Sequence, residues 1–162
     1  LLHCIAGLID IDSGEISIDC DVMNAVEVHR RGIGIMMQDQ HLYEHLTVEQ
    51  HIVFPLQTRG KKTTLVLKLM AQLDLGAIAN RKVSRCSGGE RRRVALARTV
   101  VVRPKVLLLD EPFISIDPSL RETMKESIQS LHAELKASTI IVSHHHDEVE
   151  QMCTKSLTME QL

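Results

Sequence analysis

Two stretches decide how this chain is read: Cys86-Ser87-Gly88-Gly89-Glu90-Arg91-Arg92-Arg93-Val94-Ala95-Leu96-Ala97-Arg98, and shortly after it Val106-Leu107-Leu108-Leu109-Asp110-Glu111-Pro112. The first is a turn that opens a basic helix. Ser87 can cap that helix, Glu90 can reach back to the Ser87 amide, and Gly88 and Gly89 leave backbone N–H groups open at the positive helix end. An anion suits such a place. The second is a continuous apolar run of buried-strand length that stops on two carboxylates, with Pro112 keeping Glu111 out of the helical region. A phosphate-facing turn followed by an acidic strand end points to nucleotide hydrolysis.

Outward from this pair, the pattern alternates strand and helix. The helix after Ser87 is expected to run to about Val102, stopped by Pro104, with Lys105 leading into the strand Val106 to Leu109. Asp117-Pro118 starts another helix whose apolar stripe is Leu120, Met124, Ile128, Leu131 and Leu135. Thr139-Ile140-Ile141-Val142 then reads as a buried strand, closed by Ser143-His144. A last short helix from Asp147 and a strand from Ser156 to Met159 complete the chain. Upstream, Glu15 to Asp19 alternates with period two and suits a half-exposed strand. Gly32 to Met37 is apolar throughout and suits a strand covered on both faces, with Gln38 where it stops. Between Thr47 and Ala79, Leu65, Leu69, Leu73, Val66 and Met70 recur at helical spacing, broken near Pro55 and Gly60, which marks a helical insert. Such alternation predicts a mostly parallel sheet with right-handed crossovers.

Composition narrows the classes. A chain of 162 residues with 44% hydrophobic content is sized for one core, and a net charge of −2 supplies no field for nucleic acid or an anionic membrane surface. Cys4, Cys20, Cys86 and Cys153 form no Cys-x-x-Cys pair, so neither a disulfide framework nor a zinc ribbon is expected, and a reducing cytoplasm fits best. No apolar run approaches the ~20 residues that span a bilayer, so no direct membrane insertion is expected. The first residue is Leu rather than Met, and residue 1 is read as a cut end.

The run from Cys86 to Arg98 and the acidic strand after it resemble the signature motif and acidic strand of the ATP-binding cassette (ABC) family. The resemblance implies an α/β P-loop NTPase (RecA-like) fold, with a helical subdomain inserted into a mostly parallel sheet core. Residues 1–38 and 86–162 would form the α/β portion and 39–85 the helical subdomain. It implies ATP and Mg²⁺ as cofactors. Asp110 and Gln38 would serve the metal, Glu111 would orient or deprotonate the attacking water, and His144 matches the switch histidine that contacts the terminal phosphate. Ser87, Gly88, Gly89 and Glu90 would contact ATP held by a second subunit, so two copies or two related chains must meet, and Asp117 belongs to a loop crossing that seam. Arg30 to Gly34, Leu42 to Val48 and Phe54-Pro55-Leu56 are similar to importer subunits, which dock on transmembrane permeases through roughly residues 39–56 at the cytoplasmic face of the membrane. No Gly-x-x-x-x-Gly-Lys-Ser/Thr loop occurs, and Leu1 to Leu8 looks like the helix that follows it, so the resemblance implies a chain incomplete at its N-terminus. A non-catalytic remnant that keeps only the docking and dimer surface is the alternative.

Other readings weigh less. His144-His145-His146 could be a metal site, but three adjacent residues cannot all face one ion in regular structure. Arg91-Arg92-Arg93 spans most of a helix circumference with no interleaved aromatics, which suits a solvated face with some phosphate steering better than a nucleic-acid patch.

Overall fold

The structure is a computed structural model and describes residues 1–57, 64–114, 116–144 and 150–158. Its centre is β4 (Val106–Asp110), in which Leu107, Leu108 and Leu109 are wholly buried. Parallel neighbours lie on both sides of it. β3 (Ile33–Met36) pairs Ile33 with Val106 and Met36 with Leu109, while β5 (Ser138–Val142) pairs Ser138 with Val106 and Asp110 with Val142. Successive side chains of β4 point to opposite faces, which sorts them into two cores. Leu107 and Leu109 join the larger one with α4 (Gly88–Val100) and α5 (Pro118–Leu135), and Val106 and Leu108 join the smaller one with Leu2, Ala6, Ile18 and Met23.

The smaller core is closed by α1 (Leu2–Ala6) and a hairpin of β1 (Ser17–Ile18) and β2 (Asp21–Val22). The two-residue turn Asp19-Cys20 takes left-handed backbone at both positions, φ 51° and 68°, which matches the twist of a tight hairpin although neither residue is Gly. α1 ends at Gly7, φ 79°, where a Cβ would come within 2.5 Å of the Arg31 guanidinium. That guanidinium is buried and donates to the carbonyls of Cys4, Ile5, Asn24 and Val26, so it terminates the helix and ties it to the approach of β3.

The larger core takes in the insert. α2 (Val48–Gln57) begins at a reciprocal cap, in which the Thr47 amide donates to Gln50 Oε1 and the Gln50 amide to Thr47 Oγ1. α3 (Thr64–Gln72) follows, and the two helices pack Val48, Ile52, Leu56, Val66, Leu69 and Met70 inward, with Leu73 just beyond α3. The insert's two ends are tied together, since the Val48 amide donates to Arg81 O and the Val83 amide to Leu46 O.

Three expectations change. The helix runs through Pro55 and stops at Gln57, two residues past the proline, forgoing the one amide that Pro55 lacks, while Gly60 lies outside the described residues. β5 is half-exposed, with Ile140 36% and Val142 37% accessible, because within the described sheet it is an edge strand paired only with β4. No strand forms over Ser156 to Thr158, where Leu157 is 71% exposed against no neighbouring strand; Met159 lies outside the described residues. Residues 150–152 are helical, but the expected start of that helix at Asp147 also lies outside them.

β3 approaches α4 closely at Gly34, where an added Cβ would meet Thr99 Cγ2 at 2.9 Å, Pro104 Cγ at 3.0 Å and Thr99 O at 3.0 Å. Because one of these atoms is backbone and another belongs to a ring, Gly34→Ala should destabilise the fold by about 1–3 kcal/mol in a urea titration.

Candidate functional site

Parallel strands in register bring their carboxyl ends to one edge, and the pairs Met36–Leu109 and Asp110–Val142 fix which residues arrive there. Gln38 stands two residues beyond Met36, and His144 two beyond Val142. Gln38 is exposed in a bend, and Asp110 is half-buried at the end of β4.

Glu111 is the hub of this edge. Its backbone takes left-handed φ 47°, and its amide donates to Val142 O at 2.9 Å, which turns the chain out of β4 against the end of β5. Oε1 of its carboxylate accepts the His144 backbone amide at 3.0 Å and His144 Nδ1 at 2.8 Å. A carboxylate only accepts, so Nδ1 carries a hydrogen there. Oε2 is buried and has no hydrogen-bond partner among the described residues. Arg92 of α4 is also buried and faces this carboxylate; burial pushes the guanidinium down from its ordinary value, and the charge of Glu111 pulls it the other way.

α4 leads into β4 through a short turn and runs back across the sheet, so its N-terminus lies toward the same edge. There the capping box is complete: Ser87 Oγ accepts the Glu90 amide at 3.2 Å and Glu90 Oε2 accepts the Ser87 amide at 2.8 Å. Arg81 braces the Glu90 carboxylate with bonds of 2.9 and 3.1 Å. The bond from the Ser87 amide is the largest of the influences that hold the Glu90 carboxyl below its ordinary value, against some desolvation. Gly88 is exposed with open space where a Cβ would stand, and Gly89 lies against Leu120 in the first turn of α5. Asp117, the exposed residue before α5, stands three residues ahead of Leu120 at the same end of that helix.

The comparisons with known proteins agree with this geometry. The family model described as ABC transporter matches residues 1–114. The chain belongs to the ABC transporter family. It is 37% identical to the sulfate/thiosulfate import ATP-binding protein CysA of Synechocystis sp., covering 98% of this chain and 46% of that protein. It is 42% identical to the lactose transport ATP-binding protein LacK of Rhizobium radiobacter over 94% of this chain and 42% of the relative. Identity is also 42% to the maltose/maltodextrin import ATP-binding protein MalK of Mannheimia succiniciproducens, over 94% of this chain and 41% of the relative. The chain thus spans less than half the length of the curated relatives it matches. Among solved structures it is similar to an ATP-binding cassette whose dimer was determined in a post-hydrolysis state with ADP and Pi, with TM-score 0.79 and 26% identity over 91% of this chain and 69% of that one. The fold is that of an ABC ATPase, an α/β P-loop NTPase with a parallel sheet.

Within this ABC chain the structure brings Gln38, Asp110, Glu111 and His144 to one edge, with Ser87 to Glu90 and Asp117 on the same side. Ser115 and residues 145–149, which include His145 and His146, lie outside the described residues, and no cluster of three metal-ligating side chains occurs among the described ones. The arginine run is not a solvated face. Arg91 pairs with Glu44 at 2.6 Å, Arg93 with Asp74 at 3.5 Å, and Arg92 is buried, because the helical repeat places it on the stripe of Ala95, Leu96 and Thr99. That spacing was legible in the sequence and marks Arg92 as inward. Asp117 precedes Pro118 as the N-cap residue, but its side chain makes no cap bond. The sequence reading also passed over Arg98, whose guanidinium donates to Gln40 O at 3.0 Å and His41 O at 3.1 Å and so grips the loop that follows Gln38.

Removing the cap through Ser87→Ala should cost about 1 kcal/mol. Since the folded carboxyl of Glu90 titrates below its ordinary 4.5, its contribution is present above that value and is lost as pH falls through the lowered one. Glu90→Gln keeps an acceptor for the Ser87 amide and should flatten that acid limb of the stability profile, measured by denaturant titration across acidic pH.

Proposed function

We propose that the protein is the ATP-binding and ATP-hydrolysing subunit of a membrane importer, peripheral at the cytoplasmic face of the membrane, and that its chemistry runs at the carboxyl edge of the β3–β4–β5 sheet. One observation carries this reading: directly after Asp110 at the end of β4, Glu111 is held through Oε1 by His144, while its buried Oε2 has no hydrogen-bond partner among the described residues. A carboxylate fixed in direction with one oxygen uncommitted is suited to take a proton from a water once a shift of the surrounding chain admits one to that oxygen. Asp110 suits Mg²⁺, which binds few protein carboxylates and keeps several waters, and Gln38 would complete the metal's surroundings from the end of β3. Bound Mg²⁺ would supply neutralisation of phosphate charge. His144, tethered by Nδ1, would turn its ring toward the terminal phosphate.

The capped end of α4 extends the reading to a pair of cassettes. Open N–H groups at Gly88 and Gly89 and a helix end of positive sign suit a phosphate carried by a second subunit, whether an identical or a related chain, and Asp117 would lie at the seam. The similar solved structure is described as dimeric. Residues 1–38 with 86–162 would act as the catalytic portion and 39–85 as the arm that meets a permease through roughly residues 39–56. In support, Tyr43 and Phe54 stand 46% and 41% exposed beside an open groove of about 720 Å³ that also includes Ile35, Pro55, Arg98 and Val102. Among the described residues no helix is long and apolar enough to cross a membrane, so contact with the bilayer would run through that partner. Relatives named for an oxyanion, a disaccharide, maltodextrin and glycerol phosphate match at similar identity, 35–42%, which leaves choice of solute to other components.

The test is turnover by the protein assembled with its membrane partner. Glu111→Gln should lower ATP hydrolysis by about 10²–10⁴-fold while nucleotide still binds in a fluorescence titration. Undiminished hydrolysis in that variant would remove Glu111 from the chemistry, and absence of hydrolysis in the unsubstituted assembly would favour the non-catalytic remnant.

A further inference from the structure

His51 lies in the middle of α2 with no exposed surface, yet it is not a packing residue alone. Its Nε2 accepts the backbone amide of Tyr43 at 2.8 Å, across the loop that separates β3 from α2. The two rings stack with centroids 5.4 Å apart and planes at 25°, and Tyr43 in turn meets Phe54 edge-on at 5.4 Å. Because Nε2 must be bare to accept that amide, the neutral ring carries its hydrogen on Nδ1, which is buried without a partner among the described residues. A protonated ring would set N–H against N–H at Tyr43. The surroundings act against protonation: burial first, then the charges of Arg98, His45 and Arg91, push His51 down to about 4, and the nearby carboxylate of Glu44 is engaged by Arg91.

The position of this bond matters. The loop it holds begins at Gln38 on the catalytic edge and ends at the Thr47 cap, and Arg98 grips the same loop at Gln40 and His41. Three and four residues beyond His51 on α2 are Phe54 and Pro55, both at the groove. One buried ring therefore joins the groove's aromatic rim to the loop that begins at Gln38.

We propose that His51 is a positioning residue that latches Tyr43 onto α2, so that a partner pressing into the groove displaces the Gln38 loop and α2 together. The coupling half of this proposal rests on reading the groove as a permease contact; the latch does not. His51→Phe keeps the stack and removes the acceptor, whereas His51→Asn restores a neutral acceptor. In the protein assembled with its membrane partner, the Phe variant should exchange the Tyr43 amide about tenfold faster. Its partner-stimulated ATP turnover should fall about fivefold with the KM for ATP unchanged, and the Asn variant should recover a large part of both. Unchanged Tyr43 exchange or unchanged stimulation in the Phe variant overturns the proposal. Should that variant fail to fold, ¹⁵N NMR of the unsubstituted ring decides the latch: a bare Nε2 at neutral pH upholds it and an Nε2–H tautomer overturns it. If the unsubstituted protein shows no stimulation by its partner, the docking reading falls, and the Tyr43 exchange comparison then upholds or overturns the latch by itself.

Discussion

Parallel pairing of β3 and β5 to a single buried strand is the constraint on which the rest of this molecule depends. A parallel ladder sends every strand the same way, so whatever residues end those strands must share one edge. Antiparallel pairing of the same three segments would put Gln38 and His144 at the opposite end from Asp110. β4 cannot easily leave this arrangement, because Leu107 and Leu109 anchor it in one core and Val106 and Leu108 in the other. The position of the candidate chemistry is therefore a by-product of hydrophobic burial on two sides of one strand.

How much of this was legible in the sequence differs by element. β4 was readable because four consecutive aliphatic residues leave no polar face, and α4 because Ser87 and Glu90 announce their own cap. The half-exposed state of β5 was not readable: Ile140, Ile141 and Val142 would suit a central strand equally well, and only the pairing shows which edge they occupy. Arg92 was misread because three adjacent arginines were weighed as a group, while the helix treats each separately according to its angle. The roles of His51 and Arg98 depend on contacts with a loop that has no periodicity, and no local pattern in sequence announces such contacts.

Charge in this molecule is placed more by geometry than by amount. Several cations near the candidate edge and its approach loop have fixed duties: Arg91 on Glu44, Arg81 on Glu90, and Arg98 on two loop carbonyls. Exposed pairs of this kind contribute little to stability, because solvent screens them. Their effect is directional, since each fixes where a loop or helix end points. Arg98 differs because it bonds carbonyls and, among the described residues, pairs with no carboxylate, and burial lowers its affinity for the proton. The same charge is one of those that keep His51 neutral, so the two groups that grip the loop support one another electrostatically.

The backbone at Glu111 completes the argument. A non-glycine residue at φ 47° carries strain on the order of 1–3 kcal/mol. That conformation persists because three hydrogen bonds depend on it: the Glu111 amide to Val142 O, and Oε1 from the backbone amide and from Nδ1 of His144. All three partners lie on β5 or just beyond it, so the orientation of the carboxylate is fixed by the neighbouring strand rather than by the strand it ends. Any movement that draws the end of β5 from β4 would release the side chain and relax the backbone in the same step. Any ligand that steadies His144 would do the opposite. Glu111 and His144 are on this view one mechanical unit, and the carboxyl edge of the sheet is where that unit can be set or released.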